Sequence, residues 1–272
     1  MTFSLTLEKE NGNILKTIVN VLSEIINETD ITISPKEFYI EAMDYSRISL
    51  LRIKIPKTGF FEYKCPKKIT IGINLEMLDK ILARSSKTDE LNLSLDDTEL
   101  VVKMRRDDQA RVRTFKLKTL DLGREPIDLT TVESIEYLNT ITMSAQILNE
   151  AIKDAEIYSE VLDIQTNEKG IKCQSVGQMG EMIYDLDKEL LIDYESSEIS
   201  QSSYSTTFLK NILKLSVIAP NVKLKMKTDH PLKIEFDIES MGGECLIFLA
   251  PRVEEADFNG DSFDDEFYIS CI

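Results

Sequence analysis

The chain has one histidine, His230, and four cysteines, Cys65, Cys173, Cys245 and Cys271, with no Cys-x-x-Cys pair among them. That scarcity argues against a zinc site built from cysteine and histidine. Scattered thiols of this kind read as small buried hydrophobes in a reducing compartment. No apolar run approaches the ~18 residues of a membrane span, and the opening Met1-Thr-Phe-Ser4 lacks the charged-then-apolar layout of a signal peptide. The expectation is an intracellular protein with no membrane partner. Positive charge is short as well: 32 Lys and Arg stand against 48 Asp and Glu, a formal net charge of -16 over 272 residues. Taken whole, that balance opposes a role in wrapping nucleic acid, whose phosphates require cations. Exposed charges more than ~8 Å apart are largely screened at physiological salt, so a local basic surface can still work. The placement of the cations therefore decides more than their total.

Catalytic patterns are equally thin. Carboxylates are so abundant that close Asp/Glu pairs carry no information about acid-base chemistry. His230 precedes Pro231 at a strand entrance, with no Ser or Cys in a nucleophile arrangement, and reads as structural or solvent-exposed. Gly177-Gln-Met-Gly180 and Gly242-Gly243 match neither a phosphate loop nor a dinucleotide fingerprint and read as turns. Asp257, Asn259 and Asp261 begin like a calcium loop, but Ser262 stands where that loop needs glycine and Tyr268 where it needs glutamate. The sequence therefore predicts no enzyme, no catalytic residues, no metal and no cofactor.

What the sequence does contain is a repeat. The segment 30–43 (DITISPKEFYIEAM) reads as strand, turn, strand, and 163–176 (DIQTNEKGIKCQSV) repeats the layout without a gap, 133 residues further on. A helical pattern precedes each copy: Leu15, Ile18, Val19, Leu22, Ile25 and Ile26 in the first, Ile147, Leu148, Ala151, Ile152 and Ala155 in the second. A second helix follows, at 74–82 and at 205–213, opened by Asn74 and Ser205 as N-caps. Hairpin-like alternation closes each copy, with Leu91, Leu93, Leu95, Leu100, Val102 and Met104 in one and Val222, Leu224, Met226, Leu232, Ile234 and Phe236 in the other. Helices grouped on one face of antiparallel strands give two α+β domains, 1–118 and 133–255. The connector, 119–132, carries the breakers Gly123 and Pro126, and 256–272 reads as a mobile acidic tail, expected to be disordered.

Several segments together resemble the DNA sliding clamps of the proliferating cell nuclear antigen (PCNA) family. They are Ile14-Leu-Lys-Thr-Ile-Val19, Ala42-Met-Asp-Tyr-Ser-Arg-Ile-Ser-Leu50, the helix 71–82, Pro231-Leu-Lys-Ile-Glu-Phe-Asp-Ile238, Met241-Gly-Gly243 and Leu249-Ala-Pro-Arg252. The resemblance covers 1 to about 255 and leaves the tail outside. It implies the DNA-clamp fold: three subunits, a homotrimer or a heterotrimer, closing head to tail into a ring with helices inside and sheet outside. Such a ring encircles double-stranded DNA without reading sequence. It is opened by a clamp loader and tethers DNA polymerase, flap endonuclease and ligase through short partner-motif peptides, in the cytoplasm of an archaeon or the nucleus of a eukaryote.

The same resemblance assigns residues. Lys16, Lys80, Arg84, Lys153, Lys210 and Lys214 would face DNA, although on residues alone they read as ordinary solvated helix charges. Thr17, Ser23, Ala83 and Glu150 fall where relatives are often basic, which implies weaker DNA contact and raises a second reading, a specialised or checkpoint-type subunit acting as an assembly platform. Met43, Ile48, Ile127, Leu129, Pro231, Phe248, Ala250 and Pro251 would form the partner pocket, with core packing as the plain alternative. The subunit interface would join a strand carrying Arg111, Arg113, Phe115 and Leu117 to one carrying Met182 and Tyr184 in the next subunit.

Overall fold

Alternating apolar residues and two short amphipathic helices per repeat build the same arrangement twice in the computed structural model, which describes residues 2–106, 111–125 and 127–252. In the first repeat the chain runs β1 (Ser4–Leu7), α1 (Lys9–Ile25), β2 (Glu28–Ile33), β3 (Glu37–Met43), β4 (Ser49–Pro56), β5 (Glu62–Lys64), β6 (Ile69–Asn74), α2 (Leu75–Leu82), β7 (Glu90–Asp96), β8 (Glu99–Arg106) and β9 (Arg111–Lys118). A single-turn helix, α3 (Thr130–Glu133), sits in the connector. The second repeat runs β10 (Asn139–Ser144), α4 (Ala145–Ala155), β11 (Val161–Asn167), β12 (Gly170–Gly177), β13 (Gly180–Asp187), β14 (Asp193–Ser196), β15 (Gln201–Ser205), α5 (Thr206–Ile212), β16 (Asn221–Met226), β17 (Leu232–Ile238) and β18 (Gly243–Leu249).

The pairings repeat as faithfully as the order. β1 lies antiparallel between β5 and β7, and β10 lies between β14 and β16. β2 pairs with β3 and β6, just as β11 pairs with β12 and β15. The predicted duplication is thus one topology used twice, and the order helix, strands, helix, strands is the observed one.

The chain nevertheless divides into compact units that are not contiguous. One unit takes residues within 1–42, 51–126 and 237–245; the other takes 43–50, 127–236 and the chain from 246 onward. Strands β3, β4, β17 and β18 each contribute residues to both. The acidic tail at 256–272 and the calcium-like start at Asp257 lie outside the described residues.

Each unit buries the apolar stripe of its two helices. In the first, Ile14, Leu15, Ile18, Val19 and Leu22 of α1 and Leu75, Leu78 and Leu82 of α2 are almost fully buried. In the second, Leu148, Ala151, Ile152 and Ala155 of α4 and Leu209 and Ile212 of α5 are buried to the same degree. A fully buried Leu or Ile contributes about 1.5–3 kcal/mol, so these stripes dominate the helices' reason to form. The expected N-cap works at α2, where the Asn74 side chain accepts from Met77 N at 2.9 Å, whereas Ser205 makes no side-chain cap bond at α5. Tight turns take left-handed residues where the hairpins need them: Asp97 between β7 and β8 has φ 54°, and Asp229 between β16 and β17 has φ 56°.

One buried charge anchors the outer end of the first unit's five-stranded sheet. Asp89 is 1% exposed and accepts from Arg106 Nε at 3.0 Å, Arg113 Nη2 at 2.6 Å and Ser86 N at 3.0 Å. Burial pushes its pKa up, but the hydrogen bonds from Ser86 and Arg106 outweigh burial and hold it below the ordinary value of 3.8. A depressed carboxyl pKa means stability that is present above the unfolded value and lost as pH falls through the folded one. We expect Asp89→Ala to cost about 3 kcal/mol in urea unfolding at pH 7, because Arg106 and Arg113 each lose a buried carboxylate partner. The gap to the parent protein should narrow below pH 3.8, and a cost under about 0.5 kcal/mol at pH 7 would show the network to be ornamental.

Candidate functional site: an apolar pocket, two open strand edges and the helix faces

The loop between β3 and β4 is built on Asp44. Its Oδ1 accepts from Ile48 N at 2.8 Å, Ser49 N at 2.5 Å and Ser49 Oγ at 3.2 Å, and its Oδ2 accepts from Ser46 N at 2.9 Å. One buried carboxylate therefore closes the loop and lets Arg47 take a left-handed φ of 54°. The loop fixes Met43 at its start and Leu50 at its end, and leaves Tyr45 fully exposed.

Those two residues belong to a small apolar cluster lying wholly within the second unit. Leu50, Val132 and Phe248 are buried at its centre, with Met43, Ile127, Leu129, Ile135 and Leu246 half-buried around them. The connector is held over it by local chemistry: Asp128 Oδ1 accepts from Thr130 N at 2.9 Å and Thr130 Oγ1 at 2.6 Å, an Asx-type turn just before α3, whose Val132 is buried. The hydroxyl bond, with the backbone bond behind it, holds the Asp128 carboxyl below its usual range. Of the eight residues expected in a pocket, the structure brings Met43, Ile127, Leu129 and Phe248 into this cluster. Ile48 and Ala250 flank it through the bond from Ala250 N to Ile48 O, 2.8 Å. Pro231 is buried with its carbonyl taken by the Tyr137 hydroxyl at 2.9 Å, and Pro251 is half-buried. Sequence reasoning missed Leu50, Val132, Ile135 and Leu246. The parity of β18, which sets Leu246 and Phe248 on one face, and the three-residue step from Val132 to Ile135 were the available signals.

Three sheets give six end strands among the described residues, and two of them, β9 and β13, are long and carry opposite charge. β9 closes the order β5-β1-β7-β8-β9, and β13 closes the order β13-β12-β11-β15. β9 carries Arg111, Arg113, Lys116 and Lys118 with Val112, Phe115 and Leu117; β13 carries Glu181, Asp185 and Asp187 with Met182, Ile183 and Tyr184. Val112 and Ile183 are exposed at 57% and 49%, and Met182 is buried. Arg113 is committed inward to Asp89, so its charge is already matched within its own unit.

The solvent faces of the helices are close to electrical balance. Around α1 and α2, Lys9, Lys16, Lys80 and Arg84 meet Glu8, Glu10, Glu24, Glu76 and Asp79. Around α4 and α5, Lys153, Lys210 and Lys214 meet Glu150, Asp154 and Glu156. Lys16 Nζ reaches the carbonyls of Ala83 and Ser85 at 3.5 and 3.4 Å, near the end of α2. Lys80 is paired with Glu76, and Lys210 with Glu156 at 2.9 Å. Arg84 and Lys153 are exposed, and Lys214 is half-buried. Thr17 and Ser23 bond back to the carbonyls of Asn13 and Asn20, while Glu150 accepts from Gln146 at 3.1 Å. Among the described residues no group of three or more His, Cys, Asp or Glu side chains could hold a metal ion. The ring of His230 lies 2.7 Å from the carbonyl of Thr228.

Two repeats of one sheet-and-helix topology, with a connector laid over an apolar cluster, define a two-domain clamp-type subunit. The N-terminal domain model of proliferating cell nuclear antigen matches residues 4–126 and the C-terminal domain model matches 131–252, so the chain belongs to that family. It is 28% identical to a DNA polymerase sliding clamp of Methanothermobacter thermautotrophicus over 91% of this chain and 97% of the relative. A sliding clamp of Thermococcus gammatolerans is 30% identical over 88% and 94%, and the proliferating cell nuclear antigen of Chaetomium thermophilum 26% over 90% and 96%. The crystal structure of PCNA from Thermococcus kodakaraensis superposes with a TM-score of 0.84 at 22% identity, covering 92% of this chain and all of that one.

Removing the carboxylate that closes the β3–β4 loop tests the local account. Asp44→Ala leaves three backbone N–H groups without their acceptor and should cost about 2–3 kcal/mol in urea unfolding at pH 7. Asp44→Asn, which keeps one acceptor oxygen, should recover part of that loss; equal stability of all three proteins would refute the role.

Proposed function

We propose that the chain is one subunit of a DNA sliding clamp, in which three subunits close into a ring around duplex DNA. The ring tethers DNA polymerase and other replication and repair proteins as a processivity factor and catalyses nothing itself. The observation carrying this reading is the full duplication of topology under two matching domain models, shared with relatives named DNA polymerase sliding clamp.

The charge pattern fits sliding. Within a chain of net charge -16, the helix faces and their ends carry seven cations against eight carboxylates, so most of the acidic excess sits elsewhere. A ring that moves needs weak, replaceable phosphate contacts and no base readout. Lys16, Lys80, Arg84, Lys153, Lys210 and Lys214 are our candidates for those contacts. Pairings such as Lys80 with Glu76 make each contact an exchange between a carboxylate and a phosphate, which keeps it weak. Ring closure is assigned to β9 of one subunit and β13 of the next, a basic strand meeting an acidic one, which removes both open edges. The cluster around Met43, Ile127, Leu129 and Phe248 is the proposed docking site for partner peptides with aromatic anchors, from polymerase, flap endonuclease and ligase; a clamp loader opens the ring.

Three measurements test this. The mass in solution should be that of a trimer, either alone or only when related chains are added; a stable monomer in every mixture would overturn the ring. Replacing Lys80, Lys210 and Lys214 with Ala should reduce loading on DNA and flatten its salt dependence, by about 0.9 in log-log slope for each phosphate that is no longer neutralised. Ile127→Ala combined with Leu129→Ala should weaken a helical partner-motif peptide, with a leading Gln and paired aromatic anchors, by about tenfold while leaving the trimer intact. Unaltered peptide affinity would remove the cluster from the docking site.

A further inference from the structure

Beside the apolar cluster lies a cationic one. Lys223, Lys225 and Lys233 converge on Glu235 at 3.9, 3.1 and 2.9 Å. Strand parity places them: β16 buries Val222, Leu224 and Met226 and turns Lys223 and Lys225 outward, while β17 buries Leu232, Ile234 and Phe236 and turns Lys233 and Glu235 outward. Burial raises the Glu235 pKa, but hydrogen bonds from Lys233 and Lys225 outweigh burial and hold it below its ordinary 4.5. Glu235 therefore stays ionised at neutral pH and is the one carboxylate ion-paired with these three ammonium groups among the described residues, with Asp193 and Glu195 of β14 a strand further off across β10. The Lys233 ammonium also sits 5.9 Å from the centroid of the Phe248 ring, so the cationic and apolar clusters share a border. A surface of this kind suits a ligand with aromatic anchors flanked by carboxylates.

The chain itself encodes such a ligand directly after Arg252. Residues 253–272 hold seven carboxylates, Glu254, Glu255, Asp257, Asp261, Asp264, Asp265 and Glu266, with no Lys or Arg. Phe258, Phe263, Phe267 and Tyr268 are interleaved, and Phe263 and Phe267 are spaced as one helix face would present them. Phe248 lies only four residues before Arg252, and the ten residues 253–262 can span up to about 35 Å when extended.

We propose that residues 257–269 are an internal ligand that docks on this surface. Their aromatics would enter the cluster of Met43, Ile127 and Leu129, and their carboxylates would meet Lys223, Lys225 and Lys233. The tail then competes with partner peptides for the site. This rests on the docking role proposed above for the apolar cluster. A tether this short holds the segment near millimolar effective concentration, so an intrinsic affinity of about 100 µM occupies roughly nine-tenths of the sites and weakens an outside peptide about tenfold.

The test compares the full chain, a chain ending at Arg252, and two full-length variants, Lys225→Glu with Lys233→Glu and Phe263→Ala with Phe267→Ala. The probes are two fluorescent peptides: residues 253–272 of this chain, and the helical partner-motif peptide made with uncharged flanks. The shortened chain should bind each peptide about tenfold more tightly than the full chain does. Both variants should raise the full chain's affinity for the partner-motif peptide towards that of the shortened chain, and added salt should narrow the gap. Equal binding of the partner-motif peptide by full and shortened chains overturns the inference and leaves the docking reading standing. Binding to neither overturns the docking reading and the inference with it. A gap that vanishes on dilution assigns the tail to a second copy and overturns the intramolecular form.

Discussion

Everything in this molecule depends on helices that have only one apolar stripe. In α1 the stripe is Ile14, Leu15, Ile18, Val19 and Leu22, and in α4 it is Leu148, Ala151, Ile152 and Ala155; the sheet takes each stripe out of water. On the other side Met77 of α2 is the large apolar side chain left exposed on these helices among the described residues, too little to hold a further layer. The outward helix faces are consequently free to carry charge, and they carry it in near balance. A surface that is polar, nearly neutral and mounted on rigid elements suits contact with a polyanion that must keep moving. A strongly basic face would grip DNA, and a face sharing the chain's acidic excess would repel it.

The second constraint is the open strand edge. β9 and β13 each present unpaired backbone groups on one side, and a long exposed edge invites uncontrolled association unless something satisfies it. Opposite charge on the two strands, with Val112 and Ile183 exposed among the charged residues, favours one pairing over like-with-like pairing of either strand. The inward commitment of Arg113 to Asp89 has a separate effect. It stiffens the start of β9 without spending that charge on a neighbour.

Much of this could be read from the sequence because the repeat is written in periodicity. The apolar positions of both hairpins, from Leu91 to Met104 and from Val222 to Phe236, alternate cleanly, and the structure buries all of them. Asn74 was legible as a cap because a short polar side chain before an apolar helix has few other uses. The pocket was only half legible. Met43 and Phe248 sit in strands with a readable face, but Leu50 and Leu246 look like any core residue until the connector is seen lying over them. The connector has no period at all. Its path is fixed in part by one side-chain turn at Asp128, which a pattern search cannot distinguish from the other 47 carboxylates. The interleaving of the units at 43–50 was equally hidden, since periodicity reports what a residue buries and not which body it joins.

The placement of lysines completes the physical picture. Lys223, Lys225 and Lys233 could have been spread along the sheet, where isolated exposed cations in an acidic protein would be neutralised by whichever carboxylate lay nearest. They are instead gathered around Glu235, at side-chain exposures of 23–40%. Partial burial keeps solvent screening incomplete, so their surplus charge is felt by a ligand arriving at Phe248 more strongly than the same charge would be on an open helix face. In a chain with 48 carboxylates, the neighbour best able to answer that surplus is the chain itself, and the acidic, aromatic residues after Arg252 are bound to it covalently at short range. On the proposed docking, a partner peptide must do more than fit the apolar cluster: it must bind well enough to displace a competitor that never diffuses away.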